Sequence, residues 1–498
     1  MKKFKFSILL LCLCMLLPII VACGETENPT QNSDDIYYYD DSSRERAADS
    51  IPDDYDMENQ SIGIFHTPAR ANDICGISDT TDIVYSRIHE RNLSVEDRLN
   101  VDLEFMSSNT SSWQDASDMI KREIQTLSAA WDIVFTSNNS VIQMKLFNYF
   151  HNANETNYID IEERWWYTDA ITELSVDNYN CRFLYGDIAI GALGSAGAIY
   201  YNKPLYEQYI SADKNPDEPY QLVMDGKWTF ETLSSMVKKS RIEKGGDGTN
   251  DIYGYIYDNK EALHHFREGV GIHLYERNDQ GMPVYNLNND KSVDFANALY
   301  EFIYENDGAL LDIPSEYTNG FTNGKAMFDL KRIGHVLQSN MREMKDDFGI
   351  LPFPKWDEAQ EEYITLAHNS ATTCCIPISV DIDKANEEVS AVVEALASES
   401  YRKVTVAYYE TALKAAYNRD DLSAQMIDII TGQHDTVKST FTSNFVYEYS
   451  SSLGKLGGIF STLINNQSNT FMSQYDSIIG SAETGMKDLI KQYKDGKI

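Results

Sequence analysis

The chain has 498 residues, with 42 Lys and Arg against 77 Asp and Glu, for a formal net charge of −35 at pH 7. That balance provides no basic footprint for phosphate, so nucleic acid is excluded as an expected partner, and it opposes residence on an anionic membrane surface. The length exceeds what one hydrophobic core usually serves, so at least two domains are expected, and the seven cysteines lack the C-x-x-C spacing of a zinc or redox motif.

The chain opens with Lys2, Lys3 and Lys5, then an apolar stretch from Phe6 to Leu17. A permanent span needs roughly 20 apolar residues, so this stretch reads as an export signal and is set aside from the fold. Ile20-Val21-Ala22-Cys23 follows at once. Small residues before a cysteine resemble the bacterial lipobox. Residues 1–22 are therefore expected to be a lipoprotein signal peptide, with Cys23 the lipidated residue holding the protein to the extracellular face of the cell membrane. Residues 24–58 carry twelve Asp or Glu against two Arg. With no apolar period, residues 23–60 are expected to form a disordered acidic linker. The Tyr37–Tyr39 triplet within it has no assigned role.

Beyond the linker, strand and helix signals alternate. Ser61 to His66 reads as a strand, and Ile83 to Leu99 shows helical spacing, with Ser94 and Asp97 resembling a cap for a second short helix. Val101 to Met106 alternates as a strand, Ser117 to Leu127 is helical, and Trp131 to Thr136 is a buried strand. This order implies right-handed crossovers and a parallel sheet. Ligands of open α/β sheets sit beyond the carboxyl ends of the strands. Those ends carry His66 and Thr67, then Ser107 to Asn109, then Ser137 to Asn139. Short hydrogen-bonding residues of this kind suit a neutral polyhydroxylated ligand better than an ion.

Further on, Ala198 to Asn202 is an apolar strand that enters a helix after Pro204, and Thr229 caps a helix with Phe230, Leu233 and Val237 in one stripe. Ile252 to Tyr257 alternates as a strand, Val293 to Tyr304 is helical, and FTNGKAMF (321–328) is followed by a helix and then the strand Gly349 to Leu351. Helical patterns dominate the last third, including Glu387 to Leu396 and Ser423 to Ile430. Cys75, Cys181, Cys374 and Cys375 read as buried thiols, with a Cys75–Cys181 bridge as the alternative. Asp247, Asn250 and Asp251 lack the ligand ladder of a calcium loop and read as a polar turn.

Five segments together resemble the extracellular solute-binding proteins of ABC importers, the carbohydrate-type group related to maltose-binding protein. They are AIYYNKPLY (198–206), KWTFETLSSMVKK (227–239) with DGTNDIYGY (247–255), FTNGKAMF (321–328), DFGILPFPKWDEAQEEYITL (347–366), and VVEALASESYRKVTVAYYETALK (392–414) with RDDLSAQMIDII (419–430). The resemblance implies an α/β, two-lobe periplasmic-binding-protein-like fold with an interlobe ligand cleft and three crossing segments. It maps one lobe onto 61–188 and 325–367, and the other onto 189–324 and 368–498. The crossings would lie near Asp187 to Ala189, Phe321 to Lys325 and His368 to Thr373. Lobe closure would capture a sugar or oligosaccharide for delivery to the permease subunits of an importer, with the protein a monomer. Trp228 resembles a family tryptophan that packs a helix.

Sugar recognition pairs aromatic faces with hydrogen bonds, and the chain has 32 Tyr and 6 Trp. Beside His66, Thr67, Asn109 and Asn138, the candidates are Trp113 in the polar loop after the second strand and Trp166 before the first crossing. Ser195 in the Gly194–Gly197 run, Arg332 after FTNGKAMF, and Asn369 at the third crossing, beside Ser370, complete the set. Core packing remains the alternative for both tryptophans, and a salt pair with Asp329 for Arg332. There is no H-E-x-x-H, no phosphate-binding glycine loop and no G-x-S-x-G elbow, so no catalytic residue, metal or cofactor is expected. The competing readings are a secreted glycan hydrolase using two carboxylates and a surface glycan- or peptide-binding protein without a transporter; polyamine cargo also stays open.

Overall fold

The computed structural model describes Arg44 and residues 47–142, 145–177, 179–244, 246, 250–257, 261–311, 315–409, 421–444, 453 and 455–496. The leader, Cys23 and most of the acidic linker lie outside the described residues.

Three parallel strands open the fold: β1 (Gln60–His66), β2 (Val101–Ser107) and β3 (Ile133–Ser137). Next come β4 (Gly197–Asn202), β5 (Tyr253–Ile256) and a small hairpin of β6 (Tyr275–Arg277) with β7 (Pro283–Tyr285). Then follow β8 (Ala309–Leu310), β9 (Ala326–Arg332), β10 (Phe348–Leu351), β11 (Tyr363–Leu366), β12 (Thr372–Cys375) and β13 (Ser439–Thr442). They assemble into a first sheet of order β12-β3-β1-β2, a second of order β10-β4-β9-β5-β8, and a parallel pair β11-β13.

In the first sheet β1 pairs with β2 from Gln60↔Val101 to His66↔Ser107, which brings the carboxyl ends level. Ile62, Ile64, Phe65 and Ile133 to Phe135 are buried, as expected for parallel strands covered on both faces. The helix Ile83–Leu99 lays Val84, Ile88, Val95 and Leu99 against this sheet. It runs unbroken through Ser94, where a second helix start was expected. No Gly or Pro interrupts it, its apolar stripe is continuous, and Asp82 caps its start by accepting from the Val84 amide at 3.0 Å. The helix after β2 likewise begins early, at Trp113, because the Ser112 hydroxyl accepts the Asp115 amide.

Sheet membership corrects the expected division of the chain. Residues 326–332 form a strand rather than a helix approach, and both β9 and β10 pair with β4 in the second sheet. β12 returns to the first sheet, antiparallel to β3. The segment 321–325 therefore lies within the second sheet's run of chain and crosses nothing. The chain passes from the first sheet to the second over residues 188–196, and back over 367–371.

Two further expectations change. The acidic linker ends before residue 60, because Ile51 and Met57 are buried and the Asp49 carboxylate takes a two-pronged bond from Arg98, both at 2.7 Å. Arg402 and the Ser398 hydroxyl also reach Asp49, at 3.3 and 2.6 Å. Opposite charge and two apolar anchors outweigh the polar composition here. Cys75 and Cys181 are unpaired thiols, as are the buried Cys374 and Cys375. Trp228 is fully buried and donates to the Pro352 carbonyl at 2.9 Å, so it packs.

Candidate functional site

Just past the carboxyl end of β1 the chain turns through a short 3-10 segment, Pro68–Arg70, into the helix Ala71–Cys75. This folds Arg70 and Asp73 back towards both chain crossings. There they meet Gly191, Gly194 and Ser195 of the first crossing, Ser370 of the second, and Arg332 and Gly334 at the end of β9. Tyr85 and Tyr408 add aromatic walls. Together these groups line a cavity of about 200 Å³ where the two sheets join.

Ser370 is the common partner of the two arginines. Its carbonyl accepts from Arg70 Nη2, and its hydroxyl accepts from Arg332 Nη1 at 3.1 Å. His368 closes the arrangement, with Nδ1 2.8 Å from the Ser370 hydroxyl and 3.3 Å from Arg332 Nη1. Arg70 and Asp73 stand 4.0 Å apart, and Thr372 donates to Asp73 at 3.4 Å. Burial pushes the Asp73 carboxyl up to about 6, against the pull of Arg70. Burial also pulls the Arg70 guanidinium below its ordinary value; Asp73 opposes this and the Arg332 charge adds to it.

Two buried polar atoms on this wall, Arg70 Nε and the Tyr408 hydroxyl, have no hydrogen-bond partner among the described residues. Leaving such groups unsatisfied costs about 1–3 kcal/mol each, which a ligand can recover. The backbone comes close for a steric reason. A Cβ on Gly191 would sit 2.3 Å from the Thr372 hydroxyl and 2.6 Å from Asp73 Oδ2, so only glycine leaves the cavity open there. Gly334 in turn packs on Gly194, donating to its carbonyl at 3.0 Å.

Of the residues expected at the site, Ser195 and Arg332 line this cavity. The Ser195 hydroxyl is 2.6 Å from the Ala192 carbonyl, and its own carbonyl accepts the His368 amide, so it joins the two crossings. His66 and Thr67 are buried at the strand end, where the imidazole bridges the Thr67 carbonyl and Cys75 Sγ. Asn138 and Asn369 come together beside the second crossing, through Asn138 N to Ala371 O and Asn139 Nδ2 to Asn369 Oδ1, without lining the cavity. Asn109 is exposed on its loop and Trp113 is half-buried at a helix start; neither lines it. Trp166 is in the core instead. Its indole N–H and that of Trp165 each donate to one oxygen of the buried Glu394, both at 2.9 Å, so burial and hydrogen bonding fix it away from solvent. Sequence reasoning missed Arg70, Asp73, Tyr85, Gly191 and Tyr408. The available signal was the carboxyl end of β1, read a few residues too short.

A larger cavity, about 390 Å³, has five carboxylates on its wall: Asp169, Glu173, Glu268, Glu276 and Glu362. Its sides are already cross-tied. Arg277 donates to the Thr172, Ser175 and Val176 carbonyls at the end of the helix Thr168–Leu174, and Glu268 is held by Arg267 at 2.6 Å and His273 at 3.0 Å. It does not touch the end of β1 or the glycines of the first crossing, so the smaller cavity is the better candidate. Among the described residues, no group of three or more His, Cys, Asp or Glu could hold a metal ion.

Comparison with known proteins agrees with this geometry at the level of fold. No protein-family model and no curated protein matches the sequence. Solved structures do. The maltose/maltodextrin-binding domain MalE from Bdellovibrio bacteriovorus, bound to maltotriose, is 14% identical over 86% of this chain and 100% of that one, with a TM-score of 0.52. The maltose-binding periplasmic protein MalE from Listeria monocytogenes, in complex with maltose, is 13% identical over 87% and 98%, with a TM-score of 0.52. A cyclo/maltodextrin-binding protein complexed with maltotetraose is 12% identical over 89% and 99%, at 0.53. The chain thus has the α/β fold of the periplasmic binding proteins.

Proposed function

We propose that the chain is the solute-capturing subunit of an ABC importer, binding a sugar or oligosaccharide between two lobes that close on it. One lobe comprises residues 61–188 and 368–409, and the other 189–367 and 421–496. The protein acts as a monomer at the extracellular face of the membrane, held there by lipid on Cys23. The observation that carries this reading is the polar cavity at the two crossings, with buried, unpartnered donors on its wall. A site between lobes allows ligand to favour the closed state through contacts the open state lacks. Asp73 is the one carboxylate among the described lining residues, whereas glycoside hydrolysis uses a pair, which favours binding over turnover.

Thermal unfolding of the chain against mono- and oligosaccharides, with peptides and polyamines as controls, tests the reading. Ligand at about 100 times its Kd adds about 2.7 kcal/mol and raises the midpoint by about 2–4 °C or less at this size. An unmodified saccharide giving that shift supports the proposal. A shift with peptides or polyamines alone overturns the cargo, and release of a cleaved saccharide overturns the receptor reading.

A further inference from the structure

The linker reaches the folded part with a cation seated across both halves of it. The Arg44 guanidinium lies over the Tyr401 ring, 4.2 Å from its centre, and its Nη2 donates to Gln433 Oε1 at 3.4 Å. Tyr401 belongs to the helical run Ser400–Val404, which packs on the helix Ile83–Leu99 beside the first sheet. Gln433 belongs to the other half. Its amide donates to the Asp428 carbonyl at 2.8 Å, closing the helix Asp421–Ile430, which packs on β10 of the second sheet. The Arg44 charge also reaches two carboxylates. Burial raises Asp428 to about 7 and Asp187 to about 6, and Arg44 pulls against that rise in both. Asp187 stands directly before the first crossing, where it accepts the Tyr167 hydroxyl at 2.8 Å and donates its amide to the Trp165 carbonyl at 2.8 Å.

The chain after Arg44 is fastened to one half alone. Arg402 donates to the Ala47 carbonyl, Arg98 grips Asp49, and Met57 donates its amide to the Leu99 carbonyl. From that fixed base Arg44 extends to the helix Asp421–Ile430 and to the crossing. A cation over an aromatic face contributes about 0.5–1 kcal/mol when exposed and about 2 when desolvated. Its loss would also leave Asp187 and Asp428 without that countercharge, which is costly for buried carboxylates. Building on the two-lobe reading above, we propose that Arg44 is a clasp across the joint: carried by the linker that leads to the anchor on Cys23, it pins the first crossing and restrains the hinge motion of the lobes, so that tether and joint move together.

The test is hydrogen exchange of the full chain, read peptide by peptide. Arg44→Gln should speed exchange of residues 185–196 by about five-fold or more and leave β1 and β2 within about two-fold of the parent. Arg44→Lys keeps a cation over Tyr401 and should return residues 185–196 to within about two-fold of the parent. Unchanged exchange there in Arg44→Gln overturns the proposal. Equal acceleration through the whole chain would mark a general loss of stability and overturns it too, as does an Arg44→Lys variant as fast as Arg44→Gln. The measurement uses no saccharide, so the thermal screen above decides the receptor reading separately.

Discussion

Two buried carboxylates show how neighbours decide the sign of a titration. Burial alone would raise Asp49, but Arg98, Ser398 and Arg402 overcome it and lower the carboxyl to about 2. Among the described residues the donors to Glu394 are two neutral indoles, so burial wins and its carboxyl rises to about 8. The consequences run in opposite directions. The Asp49 contribution is present above its unfolded value near 3.8 and is lost as pH falls towards 2. The Glu394 contribution is fully present below 4.5 and is lost as pH rises through about 8. Urea midpoints should therefore decline between pH 5 and 8, and Glu394→Gln should flatten that decline; an unchanged slope would remove Glu394 as its source. Asp49→Asn removes the countercharge of Arg98, while Arg402 keeps Glu399 at 2.8 Å; it should cost about 1–3 kcal/mol at pH 7, read from the same urea curves. A loss under about 1 kcal/mol would mean that the linker end is only loosely held.

Elements meet at Arg91. Its guanidinium is buried and donates to the Ile74 carbonyl, the Ile188 carbonyl and the Ser400 hydroxyl at 2.8, 2.8 and 2.9 Å. One side chain thus ties the helix Ile83–Leu99 to the helix that carries Asp73, to the first crossing, and to the chain at 400. Arg91→Met should strand the Ile188 carbonyl, while Ile74 keeps its bond from Asn92 Nδ2; it should lower stability by about 1–3 kcal/mol, and weaken ligand binding although residue 91 does not line the cavity. Full affinity in a folded variant would contradict the positioning role. At this scale the sequence was legible where one period dominated: β1, β2 and β3 alternate or run apolar, and Asn202 and Thr229 cap helices as their side chains suggest. β9 hid because its buried residues fall on both faces, with Lys331 among them. Its partners, Tyr200↔Asp329 and Ala198↔Lys331, are more than a hundred residues away, and no local pattern encodes that pairing. The misplaced lobe boundaries follow from the same cause.

Across the whole molecule, two sheets share a joint built from short crossings, and the cavity lies at that joint. Ser195 could be found from sequence because it ends the first crossing; Arg332 follows segment 321–325, which crosses nothing, and reaches the joint because β9 pairs it with Gly197. Arg70 and Asp73 lie a few residues past the strand end where the sequence reading stopped, and the turn after β1 brings them back. Trp166 misled because an aromatic residue near a crossing fits a ligand wall and a core equally well; Glu394, 228 residues away, decides it. Gly191→Ala tests the joint directly. The added methyl meets Thr372 and Asp73, and overpacking of this kind costs about 1–3 kcal/mol; saccharide affinity should drop at least ten-fold, whereas unaltered affinity would place the ligand elsewhere. The size of the space carries one more consequence. At about 200 Å³ and about 30 Å³ per liquid water, filling it displaces on the order of half a dozen solvent molecules. Capture is then partly a dehydration reaction, and the association constant should climb with the osmotic pressure of an excluded solute that the cavity cannot admit.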